Sequence, residues 1–176
     1  MKFNFCISTF ILLSLLFSCQ THSNKPQEKI VGDPTEKIKT QIIKVNQLEL
    51  QKENDEMDAY EHSHQLHFKK SISGIRYIVY HHSLKGDSIK NNMRIDLDYE
   101  IKLLDGTLCY SSKIDGIKQL IVGADEAESG LHKGLLFLKR GDKAIFLMPS
   151  VLAHGLLGDF KKIPPQMPIV FDVRVY

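Results

Sequence analysis

GLHKGLLFLKRGDKAIFLMPSVLAHGLLGDFKKIPPQMPIVFDVRVY, residues 130–176, changes its hydrophobic period twice, so it holds both kinds of secondary structure. Leu131, Leu135 and Leu138 recur at i, i+4 and i+7, the spacing of one helical face. Ser129 is the predicted N-cap and Gly141 the predicted stop. The run Ala144-Ile145-Phe146-Leu147-Met148 is continuous and of strand length, and Pro149 ends it, so a central strand is predicted there. A long loop carrying Ala153-His154-Gly155 and an Ile163-Pro164-Pro165 turn follow. In the last segment Ile169, Phe171, Val173 and Val175 alternate with Val170, Asp172, Arg174 and Tyr176, which predicts a strand with one buried face.

Upstream, Ile75, Tyr77 and Val79 alternate with Arg76, Ile78 and Tyr80 and give a first strand. Ile95, Leu97, Tyr99, Ile101 and Leu103 alternate with polar neighbours as a half-exposed antiparallel strand does. Asp105-Gly106 turns the chain back along Thr107–Ser111, and Gln119–Val122 is a further short strand. The fold class is α+β: residues 74–176 form an antiparallel half-barrel sheet around one short helix.

Composition agrees with one globular domain plus appendages. The 176 residues are 43% apolar and 25% charged with net charge +2, which excludes a disordered chain and gives no basic patch for nucleic acid. Residues 1–18 pair Lys2 with an apolar segment too short to span a bilayer, so a cleaved leader is expected, ahead of an uncleaved anchor. Leu16-Phe17-Ser18-Cys19 resembles a bacterial lipobox, which implies lipid on Cys19 and a cell-envelope location on the periplasmic side of the outer membrane. Cys6 would leave with the leader, so Cys109 is the one thiol left and no intrachain disulfide forms.

Residues 19–35 read as a flexible tether and 36–73 as a helical spacer in two pieces, 36–52 and 54–61. Ile38, Ile42 and Val45 give the first piece a helical stripe, which either docks on the domain or pairs two copies through residues 36–61. His62, His64, His67, His81 and His82 do not converge on one helical face, so solvated histidines and no metal are expected.

The ordered set G-L-x-x-G-L-x-x-x-K-x-G-D-K, P-S-x-x-A-H-G, I-P-P and F-D-V resembles the FKBP-type peptidyl-prolyl isomerases over residues 74–176. With Tyr110-Ser111 and Gly158-Asp159 the chain looks most like the gliding-motility-associated lipoproteins of this family in Bacteroidetes. The resemblance implies rotation about Xaa-Pro bonds in exported proteins, with no cofactor. It implies a bowl in which Tyr99, His154 and Phe171 act on the bound amide, and Cys109, Tyr110, Val122, Glu128, Leu131 and Ile163 bind substrate. The Glu128 amide would meet a substrate carbonyl. Leu131 replaces the family's indole floor, Cys109 a phenylalanine, Tyr110 an aspartate and His154 a tyrosine, which implies a wider, softer bowl. A neutral imidazole N–H at His154 still donates. Two functions fit: an isomerase, or a module that holds proline-containing segments with little turnover.

Overall fold

The computed structural model describes residues 34–176; the leader, the lipid site at Cys19 and the tether as far as residue 33 lie outside them. The chain divides into Met1–Ile38 and Lys39–Tyr176, and of the first unit only the start of a helix is described.

In order, the elements are α1 (Pro34–Ser63), β1 (Lys69–Lys70), β2 (Arg76–His81), β3 (Arg94–Leu103) and β4 (Leu108–Ser111). They continue with α2 (Ser112–Asp115), β5 (Lys118–Ile121), α3 (Ser129–Leu135), β6 (Lys143–Met148) and β7 (Ile169–Val175). The strands form one antiparallel sheet in the order β1-β2-β6-β7-β3-β4, with β5 paired to β3. This is the expected mixed fold of sheet and helix. β6 is central as predicted, between β2 and β7.

The core lies between α3 and the inward face of the sheet, where Leu97, Phe146, Phe171, Leu131 and Leu135 are fully buried. The two glycines of the G-L-x-x-G-L motif explain how α3 packs so closely on β6. A Cβ on Gly134 would sit 2.9 Å from the Phe146 ring, and one on Gly130 2.6 Å from Met148 Sδ. Asp142 of the G-D-K motif is buried and accepts from the amides of Ser83 at 2.7 Å and Lys139 at 2.8 Å, tying the loop before β6 to the one after β2.

Several predicted boundaries move. α3 ends at Leu135, and Leu138 reaches the same core from the turn that follows. Glu128, with no side-chain cap bond, takes the N-cap position expected of Ser129. Gly141 has φ +87° and turns the chain into β6 instead of stopping the helix. The short strand is Lys118–Ile121, one residue early, and α2 was not predicted at all.

The two-piece spacer is one helix, and it begins at Pro34, inside the stretch read as tether, as suits a proline at a helix start. From Glu53 onward α1 docks on the outward face of the sheet. Met57 is fully buried with Phe68, Leu147 and Val170 in a second small core. Val170 is therefore buried too, and β7 is covered on both faces at that end. Arg76, on the polar face of the first strand by its alternation, is only 3% exposed. It is paired with Asp58 at 2.5 Å and Glu61 at 3.4 Å, and it donates to the Asn54 carbonyl at 3.1 Å. The sheet also begins earlier than residue 74, since β1 pairs Lys69 with Tyr77.

Candidate active site

Tyr99 sits on the inward face of β3 and Phe171 on the inward face of β7, the strand beside it. Their rings lie 5.8 Å apart, tilted by 38°, a favourable aromatic arrangement. Tyr99 is half-buried, and its hydroxyl is pushed up by burial and then by the negative charges of Asp115 and Glu128. Below this pair Phe171, Leu131 and Val122 have no exposed surface, and Ile163 and Cys109 keep 2% each. All belong to the main core cluster, so the structure places these expected binding residues in the packed core. Tyr99, Tyr110 and His154 are half-buried, and with Glu128 beside His154 they are the polar edge of the bowl that the resemblance implies.

At one side of the rim, Glu128 stands at the N-cap of α3 with its side chain only 8% exposed. Its carboxylate meets Lys118 Nζ at 3.1 Å and His154 Nε2 at 3.5 Å. Burial pushes the Glu128 carboxyl up, but His154, Lys118 and its own amide outweigh that and hold it at about 2. His154 Nε2 is buried without a hydrogen bond of good geometry, because 3.5 Å is too long for one. The imidazole thus faces the Glu128 carboxylate through Nε2.

On the other side, Tyr110 at the end of β4 donates its hydroxyl to Asp159 Oδ2. Asp159 Oδ1 accepts from the amides of Lys161, Lys162 and Ile163 at 2.9, 2.9 and 2.8 Å. Burial raises the Asp159 carboxyl, yet the Tyr110 hydroxyl and these amides bring it down to about 2, while Tyr110 rises to about 12. Lys162 Nζ lies 4.6 Å from the centre of the Tyr110 ring. The Cys109 thiol is pushed up by burial and then by Asp159, and it faces the Lys162 carbonyl at 3.6 Å. It packs as a small apolar filler.

The sequence reading missed Lys118 and Asp159 as site residues. Lys118 carries no signal, since a lysine at a strand start is normally solvated. Asp159 was detectable as an Asp positioned to accept amides of the residues after it. A separate cavity of about 250 Å³ touches Tyr99 from the outward face of the sheet, among Tyr80, Asp98, Glu100, Asp172 and Arg174; its polar lining sets it apart from the bowl. The exposed histidines assemble no metal site: among the described residues no group of three His, Cys, Asp or Glu side chains converges.

An antiparallel sheet wrapped over a short helix, with its apolar core between them, defines the class of mixed half-barrel domains. The family model for FKBP-type peptidyl-prolyl cis-trans isomerases matches residues 86–176. A probable FKBP-type peptidyl-prolyl cis-trans isomerase FkpA of Neisseria meningitidis is 32% identical over 107 residues, covering 61% of this chain and 39% of that protein. The crystal structure of FkpA from Escherichia coli aligns with TM-score 0.61 at 24% identity, over 80% of this chain and 68% of that one. AtFKBP13 aligns with TM-score 0.57 at 26% identity, over 61% and 95%. This chain belongs to the FKBP-type peptidyl-prolyl cis-trans isomerase family. It spans less than half the length of the curated bacterial relatives it matches.

Proposed function

We propose that the chain speeds cis-trans rotation about Xaa-Pro bonds in other polypeptides. The observation that carries this is the family match, which spans every element from β3 to β7. The uncatalysed barrier is about 18–20 kcal/mol, because rotation must break amide resonance. An apolar bowl that strips water from the amide, with the Tyr99 hydroxyl as a donor at its edge, favours the twisted state in which that resonance is lost. The chemistry needs no cofactor.

A second reading, a binding module with little turnover, is supported by the fully buried Phe171, Leu131 and Val122 and by His154 facing Glu128. An exchange or protease-coupled assay on peptides varying the residue before proline separates the two. Acceleration that is lost in Tyr99→Ala supports the isomerase; no acceleration from a folded protein leaves the binding module.

We also propose that Cys19 carries lipid, holding the protein in the cell envelope, where it assists exported proteins, with gliding or secretion machinery as clients. The supporting observation is the Leu16-Phe17-Ser18-Cys19 sequence. A Cys19→Ala chain should leave the membrane fraction; retention there removes this reading. Pairing of two copies through α1 is supported by Ile42, Val45 and Leu48, each more than half exposed along one stripe. Sedimentation of Ile42→Lys/Val45→Lys against the parent tests it: a mass unchanged by the substitutions argues against pairing there.

A further inference from the structure

The outward face of the sheet is covered over only part of its area. α1 and the residues that follow it lie on Ile78, Ile145, Leu147 and Val170. Beyond them the same face carries the polar cavity of about 250 Å³. Strand register arranges its charges in two rows. In one, Lys143 of β6 stands opposite Arg174 of β7, and Arg174 opposite Asp98 of β3. In the other, Ile145 stands opposite Asp172, and Asp172 opposite Glu100.

Like charges directly opposed across strands are destabilising, and here they occur twice, as Lys143 with Arg174 and as Asp172 with Glu100. The opposite charges beside them do not close on one another. Asp98 accepts from the Ser112 hydroxyl instead of meeting Arg174, and Arg174 lies over the Tyr176 ring at 4.9 Å. Glu100 is paired with Lys102 at 2.8 Å and Lys113 at 3.6 Å. Asp172 has only the Tyr80 hydroxyl, at 2.8 Å on Oδ1. Burial first, and then the charges of Glu100 and Asp98, hold the Asp172 carboxyl above its ordinary value against the pull of Tyr80 and Lys102. Among the described residues, Lys143, Arg174 and Asp172 form no ion pair, and all three line this cavity.

We propose that this cavity binds a small zwitterion, a primary ammonium joined through a short chain to a phosphate. The phosphate meets the Lys143 ammonium and the Arg174 guanidinium, whose fork matches its oxygens. The ammonium donates to the free Oδ2 of Asp172 and to Asp98. Occupation therefore relieves both like-charge contacts at once. Side chains two residues apart on a strand stand roughly 7 Å apart, which sets the distance between the two poles. An α-amino acid is too short to span them, phosphate alone leaves Asp172 bare, and an amine alone leaves Lys143 and Arg174 bare. The site needs no isomerase activity, because Asp172 and Arg174 lie on the face of β7 opposite to Phe171 and Val173. The aminoethyl phosphate group that fits occurs both free in solution and as a lipid headgroup.

The test is calorimetric titration of the full chain with O-phosphoethanolamine, beside inorganic phosphate, ethanolamine and glycine. Two variants address the two poles, Lys143→Gln with Arg174→Gln, and Asp172→Asn. Neither breaks an ion pair and each relieves a like-charge contact, so their urea midpoints should not fall below the parent's. The expected result is binding of O-phosphoethanolamine at least about tenfold tighter than of any of the three smaller compounds, and weakened about tenfold or more in each variant. Sedimentation of the Cys19→Ala chain with phosphatidylcholine vesicles, with and without phosphatidylethanolamine, identifies the source. A preference for phosphatidylethanolamine that both variants lose assigns the site to a lipid headgroup; binding of the free compound without that preference assigns it to a soluble ligand. Phosphate alone binding as tightly as O-phosphoethanolamine overturns the proposal, as does binding that either variant leaves unchanged. No binding of the free compound together with no preference among the vesicles also overturns it.

Discussion

Glu128 shows how one side chain sets the character of the rim. Its carboxylate lies between Lys118 and His154, largely out of water, and is stable there as an anion only because both neighbours face it. Replacing it with glutamine keeps the shape and leaves Lys118 without a counter-charge. Glu128→Gln should lower the unfolding free energy by about 2 kcal/mol, while Glu128→Gln with Lys118→Met should recover most of it. Denaturant titration of the four proteins of this cycle measures the coupling; a cycle that closes on zero would mean the contact carries no energy. The aromatic pair Tyr99 and Phe171 was legible in the sequence, because strand alternation by itself puts each ring on an inward face. The Lys118 pairing was not, since it joins β5 to the start of α3 across a gap in sequence that no period describes.

At the scale of elements, α1 is fixed to the domain by polar and apolar contacts with separable consequences. Glu53, buried to 4% exposure, accepts from the Ser150 amide at 2.7 Å and from the Ser150 hydroxyl at 2.5 Å. The Ser150 carbonyl in turn accepts from the amides of Ala153 and Gly155, on either side of His154. Helix docking and the rim histidine therefore share one anchor. Glu53→Ala strands two buried donors and should cost about 2–3 kcal/mol. Met57→Ala leaves a cavity in the second core and should cost a similar amount, about 2–5 kcal/mol. Only Glu53→Ala should also lower kcat/KM on a short proline peptide, because only it loosens the His154 loop. Equal activity in two variants that are equally destabilised would disprove that link. The strands and α3 were readable because each buries a periodic apolar face. The continuity of α1 was not, because Gln51-Lys52-Glu53-Asn54 has no apolar residue and looks like a break. What holds that turn in the helix is Glu53 reaching Ser150 and Asn54 receiving Arg76, both long-range contacts.

For the whole molecule, net charge near zero hides an uneven distribution of perturbed carboxyls, and that distribution sets its response to acid. Glu128 falls from 4.5 to about 2 and Asp159 from 3.8 to about 2 on folding, with Asp58, Glu100 and Asp105 also lowered. A carboxyl whose folded value lies below its unfolded one gives the unfolded chain more bound protons in acid. Its stabilisation is complete above the unfolded value and is lost as pH drops through the folded one. Asp172 is raised, first by burial, and has the opposite sign: its contribution is lost as pH rises past 3.8. The lowered groups outnumber it, so urea midpoints should be level from neutral pH to about 5 and then fall steadily toward about pH 2. Asp159→Asn and Glu128→Gln should each flatten part of that decline while lowering the neutral plateau. A midpoint level down to pH 2 in the parent protein would show that neither carboxylate is held by its neighbours. Because Asp159 holds the Tyr110 hydroxyl and Glu128 faces His154, turnover of a proline peptide should be lost in the same acid window, before the β-sheet core itself unfolds.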